Sequence, residues 1–77
     1  MTAQSEAFPQ LSERELDILH MLAQRKTNNE IAAALFLSQK TVHNYVSHIF
    51  AKLQVADRIE AGLVARAAGL ELDVEAP

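Results

Sequence analysis

With 77 residues, 49% of them apolar, and a formal net charge of −3, the chain is long enough for one domain with a modest core and too apolar to be disordered throughout. It has no Cys, which excludes disulfides and a thiolate zinc site, and no apolar run nears the roughly 18 residues of a membrane span. No signal peptide is visible, so the expected location is the cytoplasm, with no membrane partner.

Met1 to Gln10 is polar, small and broken by Pro9; it reads as a flexible tail or the end of a linker. Ser12-Glu13-Arg14-Glu15 is a capping box, and Leu11 before it is placed to staple onto Leu16. Leu16, Leu19, Leu22 and Ala23 follow at helical spacing, which predicts a first helix over roughly 12–24. Thr27-Asn28-Asn29-Glu30 is a second capping box. It opens a short helix over about 28–35 that turns Ile31, Ala32 and Leu35 inward. The small side chains of Ala32, Ala33 and Ala34 are expected to let this helix cross its neighbour closely. Phe36-Leu37-Ser38 turns the chain, and Ser38 is a natural N-cap for a third helix over about 39–53. Two short helices so joined form a helix-turn-helix over about 27–46.

A fourth helix is predicted over about 57–68, capped by Asp57 with Glu60 in the capping-box position and stopped by Gly69. Ala61, Val64, Ala65 and Ala68 share one of its faces. Ile59, Gly62 and Leu63 share the opposite one, with Arg66. One face must cover the core; the second has nothing left to cover and is a candidate subunit contact. Residues 71–77 form an acidic tail expected to be disordered. There are no strand signals. The fold class is all-α: a four-helix bundle-like domain, about 11–70, built around the helix-turn-helix.

The third helix carries the chemistry. At about 100° per residue, Val42, Val46, Ile49 and Leu53 form one stripe, flanked by Tyr45 and Phe50. Lys40, Asn44 and Ser47 face the other way, with His43 and His48 at the edges. Lys can donate to guanine O6/N7, and Asn can pair with adenine N6/N7, so this face suits the edge of a base pair in double-stranded DNA. The negative total charge argues mildly against nucleic acid, but between Phe36 and Ala56 there are two Lys, two His and no acid. His20 and His48 read as surface or helix-packing residues, and His43 and His48, five apart without Cys, make a poor metal site. No metal or other cofactor is expected.

Taken together, three blocks carry a family pattern. They are Leu11-Ser12-x-Arg14-Glu15-x-x-Ile18-Leu19; Asn28-x-Glu30-Ile31-Ala32-x-x-Leu35-x-Leu37-Ser38-x-x-Thr41-Val42; and Val46-x-x-Ile49-x-x-Lys52-Leu53-x-Val55-x-x-Arg58-x-x-Ala61. Their joint spacing resembles the LuxR-type helix-turn-helix domain, most closely the form at the C-terminus of NarL/FixJ response regulators. The resemblance covers about Leu11 to Leu70. It implies a transcription regulator of a two-component system, with the third helix in the major groove and a dimer formed through the fourth. It implies that residues matching Lys40, His43, Asn44 and Ser47 approach base edges or nearby phosphates, and that Thr41 and Lys52 mainly hold the DNA backbone. A weak homodimer through Ile59, Gly62, Leu63 and Arg66 is expected, with RNA polymerase as a further partner.

The chain departs from the family at several positions. Arg25 stands where Gly is usual after the first helix and must adopt a left-handed conformation or redraw its cap, and Gln54 replaces another common Gly after the third. His43 replaces a frequent Lys, exchanging a permanent charge for a titratable one. Tyr45 stands where many members have His.

Two other function classes fit the same elements. One is a promoter-reading module of a sigma factor, which would act as a single copy. The other is a helical protein-interaction module with no DNA role. An enzyme is not expected: the sequence has no nucleophile–base pair at a sensible spacing, no glycine-rich phosphate loop and no carboxylate pair in an apolar setting.

Overall fold

Each helix starts at a polar side chain that satisfies an orphan amide. The computed structural model describes residues 8–69 and holds, among them, α1 (Glu13–Ala23), α2 (Asn28–Leu35), α3 (Gln39–Leu53) and α4 (Arg58–Ala67), with no strand. Ser12 and Glu15 form the full capping box, Ser12 N–H to Glu15 Oε1 at 2.8 Å and Glu15 N–H to Ser12 Oγ at 3.1 Å. Thr27 and Glu30 repeat it at the same two distances. Ser38 Oγ accepts from Thr41 N–H at 3.0 Å. At α4 the box is shifted: Asp57 Oδ1 accepts from Glu60 N–H, but the Glu60 carboxylate reaches the Ala56 amide rather than that of Asp57. Replacing such a cap by Ala typically costs about 1 kcal/mol.

Three helices end alike. The Lys26 N–H donates to the Met21 carbonyl, Leu37 N–H to that of Ala32, and Val55 N–H to that of Phe50. These six-residue closures are Schellman ends, and each needs a left-handed residue before the closing amide. Arg25, Phe36 and Gln54 take that place with φ of 66°, 58° and 59°. So Arg25 and Gln54 adopt the conformation that Gly would supply, and Phe36 does so as well, which the sequence did not signal. Phe36 is also 93% exposed.

The core is drawn from all four helices. Ile18 and Leu19 of α1, Ile31 of α2, and Val42 and Ile49 of α3 are fully buried, with Ala61 and Ala65 of α4 closing one side. Burying each of the larger side chains contributes roughly 1.5–3 kcal/mol. Two expectations need correction. Phe8, assigned to a flexible tail, is 5% exposed and belongs to the core, and its carbonyl accepts from the Leu11 amide. Of Ala32, Ala33 and Ala34, only Ala32 is buried; the other two face outward because they sit off the stripe set by Ile31 and Leu35. The remainder of the expected tail before Phe8, and the acidic tail of residues 71–77, lie outside the described residues.

A polar clasp joins distant parts of the chain. Arg58, at the start of α4, donates from Nη1 to Asn28 Oδ1 at 3.0 Å and from Nη2 to the Lys26 carbonyl at 2.9 Å. It fixes α4 to the loop between α1 and α2. No helix among the described residues is long and apolar enough to cross a membrane.

Candidate nucleic-acid interface

The two faces of α3 separate cleanly. Val42, Val46 and Ile49 are buried, while Thr41, Tyr45, Phe50 and Leu53 are half-buried at the seam. Lys40, His43, Asn44, Ser47 and His48 are all exposed, and α3 contains no acid. The structure thus brings Lys40, His43, Asn44 and Ser47 onto one open face. Thr41 lies beside the N-terminus, its Oγ1 accepting from the Ser38 hydroxyl at 2.9 Å. That bond ties the first turn to its own cap and orients the side chain.

Lys52 is placed differently from the rest. Its Nζ lies 2.9 and 3.1 Å from the two carboxylate oxygens of Glu15, and its side chain is 43% exposed. Glu15 is 6% exposed, the one buried charged residue among those described. Burial would raise its pKa. The Ser12 backbone N–H opposes this, as do the hydrogen bond and charge of Lys52 and the Ser12 hydroxyl, and together they hold it below its ordinary 4.5. Sequence reading assigned Glu15 to a cap and Lys52 to the DNA backbone, and missed that they meet. The only signal was a cap carboxylate with unused acceptor capacity.

Charge is distributed more favourably than its sum suggests. All seven Lys and Arg residues fall within residues 8–69 but only six of the ten acids do, so the described part is formally +1. Glu6, Glu71, Asp73 and Glu75 supply the balance.

The second face of α4 behaves unevenly. Ile59 is 74% and Leu63 60% exposed, as expected for an unused apolar face. Gly62 is buried, not open, and Arg66 is half-buried. A Cβ built at Gly62 would stand 3.5 Å from the Leu22 carbonyl oxygen, ordinary contact distance. Packing of α4 on α1 therefore does not require glycine there. Ile59, Gly62, Leu63 and Arg66 together line one side of a groove of about 630 Å³ between α4 and the end of α1.

The sequence that builds the open face of α3 matches known proteins. Residues 9–65 match the GerE family, described as bacterial regulatory proteins of the luxR family. The uncharacterized transcriptional regulatory protein YhcZ of Bacillus subtilis is 53% identical over 62 residues, covering 80% of this chain and 29% of that protein. The transcriptional regulatory protein LiaR of the same organism is 46% identical over 55 residues, covering 71% and 26%. The response regulator protein VraR of Staphylococcus aureus is 42% identical over 65 residues, covering 84% and 31%. The chain belongs to the luxR family of bacterial regulatory proteins, as one of its DNA-binding domains. It spans less than a third of the length of these relatives.

Proposed function

We propose that this domain reads operator DNA through the exposed face of α3 in the major groove and works as the effector part of a two-component response regulator. The observation that carries this is the exposure of Lys40, His43, Asn44 and Ser47 together on an acid-free face whose opposite side is buried. Lys40 and Asn44 have the donors and acceptors to read guanine and adenine edges. His43 and Ser47 flank them toward base edges or phosphate. Thr41 and Lys52 hold the DNA backbone, and Lys52 does so while shared with Glu15. Two copies pair weakly through Ile59 and Leu63, with Gly62 and Arg66 beside them, and bind two half-sites of matching symmetry. The exposed apolar area is too small for an obligate dimer, since interfaces well below about 1,000 Å² are usually weak. Relatives named as transcriptional and response regulators support the regulatory role. No catalytic role is proposed, and reading bacterial DNA is work done in the cytoplasm.

The test is selection of duplexes from a random pool by the full chain, followed by anisotropy titrations at several salt concentrations. The expected outcome is an enriched sequence with two related halves, bound on the order of 10³-fold more tightly than random DNA, with affinity falling as salt rises. No enrichment over random DNA would overturn base reading and leave the protein-interaction alternative.

A further inference from the structure

The groove beside α4 has a floor and a rim of different chemistry. Leu22 and Ala23 of α1 and Ile59, Gly62 and Leu63 of α4 form an apolar floor. Arg25, Lys26, Arg58 and Arg66 border it, and no Asp or Glu is among the described residues that line it. Four of the chain's seven Lys and Arg residues thus surround one apolar groove. The two bonds that Arg58 makes to Asn28 Oδ1 and the Lys26 carbonyl go to neutral acceptors, so they orient its charge without cancelling it. Two copies facing each other here would bring both sets of cations together, which opposes pairing. The chemistry of the groove calls for an occupant that is apolar on one side and acidic on the other.

The chain supplies such a segment directly after α4. Gly69, at φ 86°, leaves the helix in the left-handed conformation. The sequence continues Leu70-Glu71-Leu72-Asp73-Val74-Glu75, a strict alternation of apolar and acidic residues. In extended backbone this pattern puts Leu70, Leu72 and Val74 on one side and the three carboxylates on the other. Residues 70–77 span roughly 26 Å when extended, against about 15 Å for a ten-residue helix. A segment doubling back from Gly69 therefore has the reach to pass Arg66 and arrive at Arg58.

We propose that residues 70–77 dock in this groove of their own chain, with Leu70, Leu72 and Val74 toward the floor and Glu71, Asp73 and Glu75 toward the Arg and Lys rim. A docked segment covers Ile59 and Leu63, so it competes with pairing of two copies. The competition rests on the pairing role given to α4 above; the docking does not.

Because the chain has no Cys, Ala76→Cys accepts a single nitroxide label on the full chain. In dilute ¹⁵N-labelled protein, the label should broaden the amides of Thr27, Gly62 and Leu63. Combined Glu71→Gln, Asp73→Asn and Glu75→Gln substitutions should abolish the broadening. The same neutralised chain, without label, should pair on a two-half-site duplex about three- to tenfold more tightly, the range expected for losing a few exposed ion pairs. Broadening confined to residues near Gly69 in sequence would overturn the docking. So would broadening of the groove amides seen only when labelled ¹⁴N protein is mixed with unlabelled ¹⁵N protein, because the segment would then sit on a second copy. Docking with unchanged pairing would overturn the competition alone.

Discussion

Lys52 and Glu15 lock the last turn of α3 to the first turn of α1, with both Glu15 oxygens within 3.1 Å of one ammonium. The Glu15 carboxylate also caps α1, so one buried group sets where α1 begins and how α3 lies across it. Removing Lys52 strands the buried carboxylate, a change worth about 1–3 kcal/mol, whereas removing the carboxylate forfeits the charged cap and leaves Lys52 to water. The sign with pH follows from the lowered pKa of Glu15. Its contribution is fully present above the ordinary value of 4.5, and is lost as pH falls through the lower folded value. Urea unfolding of Glu15→Gln should show that loss at neutral pH and less of it at acid pH. An equal loss at both would trace the effect to cap geometry rather than charge.

The open face of α3 yields a second prediction. Asn44→Ala should cost about 1–3 kcal/mol on the selected site, relax preference at one base position, and hardly change affinity for random DNA. Lys52→Ala should weaken both DNAs alike and also lower thermal stability, because it strands Glu15. Titration of each variant against selected and scrambled duplexes separates the two. Equal losses of Asn44→Ala on both duplexes would count against base reading.

The left-handed helix ends give a third. At Arg25, Phe36 and Gln54, Gly removes the clash between Cβ and backbone, at some cost in unfolded-state entropy. Phe36→Gly and Gln54→Gly should each leave the domain as stable or more stable, by up to roughly 1 kcal/mol in chemical denaturation. A large loss for Phe36→Gly would reveal that its exposed ring has a partner.

The fourth concerns α4. Leu63→Asp should leave helicity and melting nearly unchanged, since Leu63 is 60% exposed. It should remove cooperative binding to paired half-sites while sparing weak binding to one. Gly62→Ala should stabilise the isolated domain by about 1 kcal/mol through helix propensity, because the added Cβ meets only the Leu22 oxygen at 3.5 Å. If the glycine serves close approach of a second copy, the same change should weaken paired binding.

What could be read from the chain and what could not divides along distance in sequence. The capping pairs Ser12–Glu15 and Thr27–Glu30 lie three residues apart, and the stripe of Val42, Val46 and Ile49 repeats every turn; all were legible and all formed. That stripe also told which residues of α3 remain outside. Phe8 was not legible: an isolated aromatic beside Pro9 has no periodic neighbours to betray its burial. Gly62 was assigned by helical angle to an open face, but α4 lies close enough to α1 for the Leu22 carbonyl to cover it. The pairing of Lys52 with Glu15, and the Arg58 clasp, depend on how helices cross, which no local pattern encodes.

Those two polar ties also bear on how the fold persists in time. They close loops of 37, 30 and 32 residues. Ordering such loops ahead of the apolar core would cost chain entropy for little return. Each tie is a single polar contact beside a core drawn from all four helices, so it is expected to close past the barrier to folding. Interactions made past the barrier set the rate at which a folded molecule opens, not the rate at which it forms. Lys52–Glu15 and Arg58–Asn28 thus act as latches: without either, stopped-flow kinetics should show faster unfolding and almost unchanged folding.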